Sequence, residues 1–287
     1  MTPLGMTFAR RWTPDASYGS IRARMREYKT LRLAETDGVL TVSLSRPDVH
    51  NAFNDELIAE MIALLEEIEA RRDLRALLLR GEGPNFCAGA DLNWMSKMVA
   101  YSREENVRDS SLLATMYERL DRCPLPVIGR IHGAAIGGGV GLVAVCDVAI
   151  AESGTKFGLT EVKLGILPAV ISPYVIAKIG ATHARALFLT GERFGADRAL
   201  QIGLVHRVAS DAAELDRWVE ETLAQIRTSG PEAVRACKAL IELVSTHPPE
   251  ESVPYTIDAI AERRTSDEGQ QGMQAFLRKE KAPWAAR

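Results

Sequence analysis

Apolar positions along this chain follow two rhythms, and the balance between them changes once. Over residues 28–33 and 39–44 they stand in short alternating or unbroken runs on either side of Thr36-Asp37-Gly38, which predicts two strands joined by a tight turn. After Asn54 the spacing lengthens. Leu57, Ile58, Met61, Leu64, Leu65 and Ile68 recur at steps of one helical turn, so a helix capped by Asn54 is predicted. Residues 76–79 read as a buried strand, followed by the polar turn Gly81-Glu82-Gly83-Pro84. Ser102-Arg103-Glu104-Glu105 has the spacing of a capping box and opens another helix. Residues 126–131 predict a strand that runs into Gly133 and the cluster Gly137-Gly138-Gly139; an apolar helix continues over 142–145, and 148–151 is again a strand. From Asp211 onward only the helical rhythm remains, over 215–226, 233–244, 252–264 and 272–279. The expected organisation is an α/β core over residues 28–210 and a helical C-terminal region over 211–287. Residues 1–27 have no periodicity and read as a solvated tail, with the globular part opening near Met25.

Composition narrows the class. Of 287 residues, 46% are hydrophobic and 25% charged, with a net charge of -3, the profile of a soluble globular protein rather than a basic nucleic-acid surface. No apolar run is long enough to span a membrane. Arg10, Arg11, Arg22, Arg24 and Arg26 precede no apolar segment of the secretory kind; an organelle transit peptide is the alternative to a plain tail. Cys87, Cys123, Cys146 and Cys237 form no CxxC pair and no Cys/His ligand spacing, so no metal site is expected. Three of the four lie among apolar residues, as core thiols of a reducing, cytoplasmic setting do.

Two loops carry the candidate chemistry. One is Phe86-Cys87-Ala88-Gly89-Ala90-Asp91-Leu92, the other Gly133-Ala134-Ala135-Ile136-Gly137-Gly138-Gly139. Each follows a strand and precedes helix-like sequence. Small residues there let backbone N–H groups approach a ligand, and a helix N-terminus adds partial positive charge. Two such groups converging on one oxygen would form an oxyanion hole. Taken singly, each loop reads equally as a tight turn or a close helix contact. The glycine run is not a Walker loop, since no Gly-Lys-Ser/Thr follows, and it lacks the GxGxxG spacing of a dinucleotide fold. Trp94, Met95 and Met98 would line an apolar tunnel or lid, or pack their helix onto the core. His132 reads as a strand-end residue with one backbone hydrogen bond, and Asp91 as a carboxylate that orders its loop.

The motifs together resemble the crotonase (enoyl-CoA hydratase/isomerase) family over roughly residues 31–284. The landmarks are Leu44-Ser45-Arg46-Pro47 with Asn51-Ala52-Phe53-Asn54, the two loops with Cys146-Asp147, Phe157-Gly158-Leu159-Thr160-Glu161, Leu164-Gly165-Ile166-Leu167-Pro168, and Thr190-Gly191-Glu192 with Gly203-Leu204-Val205. The resemblance implies a crotonase-like spiral of β-β-α turns and a helical C-terminal trimerisation region, with hexamers as dimers of trimers. It assigns the oxyanion N–H groups to Ala90 and Gly138 and the principal acid/base to Glu161. Substrate contacts fall to Ala52, Ala88 and Asp91 around the adenine, and to Leu92, Trp94 and Gly141; His50 stands where other members often place a cation that meets a coenzyme A phosphate, or is a plain turn residue. Lys279 matches a lysine that reaches a neighbouring subunit's coenzyme A phosphates, or is a solvated helix cation.

The departures matter as much. Hydratases of the main type carry a second glutamate where this chain has Gly141. Restoring it by Gly141→Glu is expected to place a carboxylate opposite Glu161. The segment Pro168-Ala169-Val170-Ile171-Ser172-Pro173-Tyr174 resembles a bacterial branch linked to 3-methylglutaconyl-CoA and related branched thioesters. The resemblance implies a hydratase (lyase) acting on a 2-enoyl-CoA, branched or carboxylated, with coenzyme A entering as part of the substrate and no separate cofactor. The alternatives are an enoyl-CoA isomerase with one glutamate base, and a non-catalytic acyl-CoA-binding or RNA-binding member. No nucleic acid and no membrane is expected as partner.

Overall fold

The computed structural model describes residues 26–286. The chain runs β1 (Leu31–Thr36), β2 (Val39–Leu44), α1 (Asp55–Glu69), β3 (Ala76–Gly81), α2 (Leu92–Met98), α3 (Arg103–Asp121), β4 (Val127–Ile131), β5 (Ala134–Ile136), α4 (Gly138–Ala144), β6 (Val148–Glu152), β7 (Lys156–Gly158), α5 (Ser172–Thr190), β8 (Arg193–Gly195), α6 (Ala196–Gln201) and β9 (Arg207–Ala209). Four helices follow, α7 (Ala212–Arg227), α8 (Pro231–Thr246), α9 (Pro249–Thr265) and α10 (Asp267–Leu277).

Six strands form the main sheet in the order β1-β2-β3-β4-β6-β9. Only the β1–β2 hairpin is antiparallel; β2 through β9 pair in parallel, so helices must cover both faces. One face meets the large core, in which Leu40, Val42, Leu77 and Leu79 pack with Leu57, Met61 and Leu64 of α1 and Met116 and Leu120 of α3. The opposite face presents Val39, Ala76, Ile128 and Ile150 to Leu215, Val219 and Leu223 of α7. A second sheet, β5-β7-β8, is only three residues deep, and it carries the loops of interest.

Local signals explain the boundaries. The Asn54 side chain accepts from Leu57 N–H and starts α1. At α3 both halves of the Ser102/Glu105 capping box are formed. The first strand begins at Leu31 rather than residue 28: the Glu60 carboxylate on α1 takes the amides of Lys29 and Thr30, each at 2.8 Å, and leaves Ser45 N–H to Thr30 O, at 2.7 Å, as the last bond toward β2. The last helix runs over Asp267–Leu277, not 272–279, since Ser266 caps it. Of the expected tail, residues 1–25 lie outside the described residues, and Arg26 and Glu27 are exposed without regular structure. Among the described residues, no helix is long and apolar enough to cross a membrane. Cys87, Cys123 and Cys146 are buried free thiols, and Cys237 is exposed.

Candidate active site

The two small-residue loops are stitched to each other by main chain. Cys87 pairs with Ala135 in a parallel bridge: Cys87 N–H donates to Ala134 O and Ile136 N–H to Cys87 O, both at 3.0 Å. The first loop is also tied to Phe53, whose N–H donates to Gly89 O at 2.7 Å while Asp91 N–H donates to Phe53 O at 2.8 Å. In a parallel ladder these bonds use the groups flanking Ala90, so the Ala90 N–H itself points to the other side. The second loop enters α4. Gly138 is the first residue of that helix, a position whose N–H has no intrahelical acceptor. The Gly138 carbonyl is anchored separately, by the buried Tyr117 hydroxyl at 2.6 Å. Space enforces the glycines: a Cβ on Gly139 would stand 2.3 Å from Cys87 O, so any side chain would push the loops apart.

Glu161 reaches the same place from a third direction. The Gly137 N–H donates to Gly158 O at 2.8 Å and joins the glycine loop to β7, three residues before Glu161. Gly137 has φ +52, and a Cβ there would lie 3.1 Å from Glu161 Oε1, so the carboxylate sits directly over the loop. Its Oε2 is buried and has no hydrogen-bond partner. Burial pushes the carboxyl above the usual range, opposed only by its own backbone N–H. A carboxyl so placed is suited to both take and return a proton.

Ala90, Gly138 and Glu161 line one cavity of about 560 Å³, a size suited to a small-molecule group. Trp94, Met95 and Met98 of α2, Val99 just after it, Leu113 of α3 and the segment from Leu164 to Ile171 supply apolar wall. Trp94 is buried, and its Nε1 donates to Asp109 Oδ1 at 3.2 Å.

The other expected site residues fall outside this lining. Asp91 is 4% exposed, and its carboxylate is used locally: it accepts from Asn93 and Trp94 N–H and pairs with Arg46 Nη2 at 2.7 Å. Burial works against that charge, but Arg46 and the two amides outweigh it and hold the carboxyl below its ordinary range. Ala52 is buried and its carbonyl accepts from Arg46; Ala88 N–H donates to His50 O at 3.0 Å. Leu92 is exposed, and Lys279 is exposed beyond α10 with φ +59. His132 makes the expected backbone contact, Nε2 to Gly83 O at 2.9 Å, and His50 Nδ1 meets Asn85 Nδ2 at 2.9 Å.

Gly141 requires a correction. It is buried and does not line the cavity. A Cβ there would stand 2.4 Å from Ile171 Cγ2 and 2.9 Å from Tyr117 Cε1, so the place expected to receive a second carboxylate is already filled. Tyr117, Ile171 and Asp109 are the residues that sequence reasoning missed. Tyr117 could have been found as part of the α3 core face with Met116 and Leu120. For Ile171 and Asp109 the informative neighbours are distant in sequence, and no local signal marks them.

Comparison with known proteins follows the same lines. The sequence profile described as enoyl-CoA hydratase/isomerase matches residues 34–287. A solved enoyl-CoA hydratase from Shewanella pealeana superposes with a TM-score of 0.86 at 38% identity, covering 90% of this chain and 97% of that one. The short-chain-enoyl-CoA hydratase of Clostridium acetobutylicum is 31% identical over 257 residues, 89% of this chain and 97% of its own. The mitochondrial Delta(3,5)-Delta(2,4)-dienoyl-CoA isomerase of Dictyostelium discoideum is 31% identical over 254 residues, 85% of each chain.

Proposed function

Because the chain belongs to the enoyl-CoA hydratase/isomerase family, we propose that it hydrates a 2-enoyl-CoA thioester with Glu161 as its single acid/base. The observation that carries this reading is the buried, unpartnered Glu161 Oε2 in a cavity shared with Ala90 and Gly138. One carboxylate suffices. Glu161 takes a proton from water as the oxygen bonds to C3, and the C2–C3 π pair moves into the thioester to give the enolate. The enolate oxygen accepts from the Ala90 and Gly138 N–H groups. Glu161 then returns its proton to C2, which completes the addition of one water. Each oxyanion donor contributes on the order of a hundredfold in rate or more.

Coenzyme A enters as part of the substrate, its adenine held by backbone around Ala52, Ala88 and Asp91. The apolar cavity wall supports a branched or medium uncharged acyl group; the 3-methylglutaconyl-type thioesters suggested by residues 168–174 would bring a terminal carboxylate against it. A cytoplasmic trimer or dimer of trimers is part of the same reading. It is supported by Ile241, Val244, Ile257, Ile260, Phe276 and Leu277, exposed apolar side chains on α8, α9 and α10. In a trimer Lys279 could meet a neighbour's coenzyme A phosphates. A monomeric mass by light scattering at micromolar concentration would count against assembly.

The second reading is isomerisation. It is favoured by the closed place at Gly141, since a base that shuttles one proton between C4 and C2 needs no partner. Incubation with a panel of 2-enoyl- and 3-enoyl-CoA thioesters, with products identified by mass, decides between them. A 3-hydroxyacyl-CoA supports hydration; a shifted double bond without uptake of water assigns the chain to isomerisation.

A further inference from the structure

The cavity beside Glu161 holds acidic groups without any basic one. Among the described residues that line it there is no lysine, arginine or histidine, and the ionisable side chains are Glu161 and Asp109. Asp109 stands on α3, half-buried, with Oδ1 accepting from Trp94 and no cation in salt-bridge contact among the described residues. Of the two neutral polar side chains in the lining other than the indole, Ser110 offers a single hydroxyl and Asn106 has its donors committed. Asn106 Nδ2 is used by Tyr101 O at 3.3 Å and Ser102 O at 3.1 Å, which turns its donor hydrogens to the start of α3. The rest of the wall is largely apolar, with Met98, Leu113, Leu167 and Val170 prominent.

An acyl chain that ends in a carboxylate would lose its water here and find another carboxylate in place of a guanidinium or ammonium. Desolvation and like-charge repulsion then act in the same direction. An uncharged chain meets neither cost. Resting on the reading that the chain binds acyl-CoA thioesters, we propose that Asp109 is a specificity-determining residue that turns away acyl groups bearing a carboxylate and leaves the site to uncharged, apolar ones. Burial, with the nearby Asp55 charge adding to it and the Trp94 hydrogen bond opposing it, pushes the Asp109 carboxyl upward, as expected of a carboxylate without a counter-ion. Of the acyl groups that the sequence suggests, the branched uncharged ones fit and the carboxylated ones do not.

The test compares two saturated thioesters, hexanoyl-CoA and its counterpart with the terminal methyl replaced by a carboxylate, by titration calorimetry on the full chain. The coenzyme A moiety is common, so the ratio of dissociation constants isolates the tail, and each variant is its own reference. The wild-type protein should bind the carboxylated thioester on the order of tenfold or more weakly, the scale of two like charges several ångströms apart in a partly buried site. Asp109→Asn keeps an acceptor for Trp94 Nε1 and should shrink that ratio severalfold. Ser110→Lys, on the cavity wall, should shrink or reverse it, which keeps the proposal testable if Asp109→Asn does not fold. A wild-type ratio within twofold of unity, or a ratio unmoved in these variants, overturns the proposal. Turnover of matching 2-enoyl thioesters is followed in parallel: no turnover with the binding ratio intact defeats the hydratase reading alone, and normal turnover with a flat ratio defeats this proposal alone.

Discussion

A single methyl group on Gly141 tests how firmly the second-carboxylate position is closed. In Gly141→Ala the new Cβ would stand 2.4 Å from Ile171 Cγ2, 2.9 Å from Tyr117 Cε1 and 3.0 Å from Ile171 Cβ. Carbon atoms in contact sit about 3.5–4.0 Å apart, so the overlap with Ile171 is roughly 1 Å or more. Ile171 is 3% exposed and β-branched, and cannot swing clear as the end of a long side chain would. Overpacking of this kind costs about 1–3 kcal/mol. Alanine in a helix returns up to about 1 kcal/mol relative to glycine. The overlap is severe enough to place the cost at the upper end, which leaves a net loss of about 1–2 kcal/mol and lowers the thermal midpoint by roughly 2–8 °C for a chain of this size. Calorimetry of Gly141→Ala, Ile171→Ala and the double variant completes a cycle. The coupling should favour the double variant by about 0.5–3 kcal/mol, because the two changes relieve one overlap. Gly141→Glu adds an unpaired buried carboxylate to the same clash, so it should fold poorly and gain no hydration activity. A Gly141→Ala midpoint equal to wild type with no coupling to Ile171, or a folded Gly141→Glu with faster hydration, would refute the closed-site argument.

Other expectations follow from Glu161 and from the Arg46–Asp91 pair. Glu161→Gln should lower turnover by roughly a hundred- to ten-thousandfold, while coenzyme A thioester binding, assigned in the proposed reading mainly to backbone, should stay within a few fold. Burial raises the folded-state pKa of Glu161, so its ionised form opposes folding once the pH exceeds the ordinary carboxylate value; at neutral pH the glutamine variant should melt at or above wild type, and the difference should vanish as pH falls below that ordinary value. In the wild-type profile of kcat/KM against pH, the acid limb should lie above the usual carboxylate range, where the base form of Glu161 is lost; a limb at an ordinary carboxylate value would contradict the burial argument. Arg46→Met strands the buried Asp91 carboxylate and should cost about 3–5 kcal/mol in urea unfolding. Because the Asp91 pKa is held down, its stabilising contribution is present above the ordinary carboxylate value and lost as pH falls through the lowered one; an Arg46→Met penalty that does not shrink in acid would argue against the pairing.

The elements legible in the sequence are those with short-range physical causes. The Asn54 cap, the Ser102/Glu105 box and the 39–44 strand rest on side chains a few residues from the backbone they satisfy. The crossover from strands and helices to helices alone near residue 211 is likewise a local pattern. The three strands of the small sheet are not legible, because each has three residues, mostly glycine, alanine or a single aromatic, and exists only through its partners. The site divides in the same way. Ala90, Gly138, Glu161 and Trp94 meet in one cavity as their motifs suggested, since each is fixed by its own loop or helix start. Gly141 lies outside that lining, and what fills the place beside it comes from residues 117 and 171, one earlier and one later in the chain. The Trp94–Asp109 contact joins two helices and has no signature in either.

The stitched loops also determine what a mutational survey of this protein would see. In the proposed reading the working groups at positions 90 and 138 are peptide amides, which every residue but proline supplies, so no ordinary change of side-chain chemistry deletes them. Their importance would surface by displacement: at Gly137, where a side chain would meet Glu161, and at Gly139, where it would wedge against the Cys87 carbonyl. If that reading holds, inactivating changes should cluster at positions that contribute nothing but empty space, while the side chains of the cavity wall drift without touching the two amides.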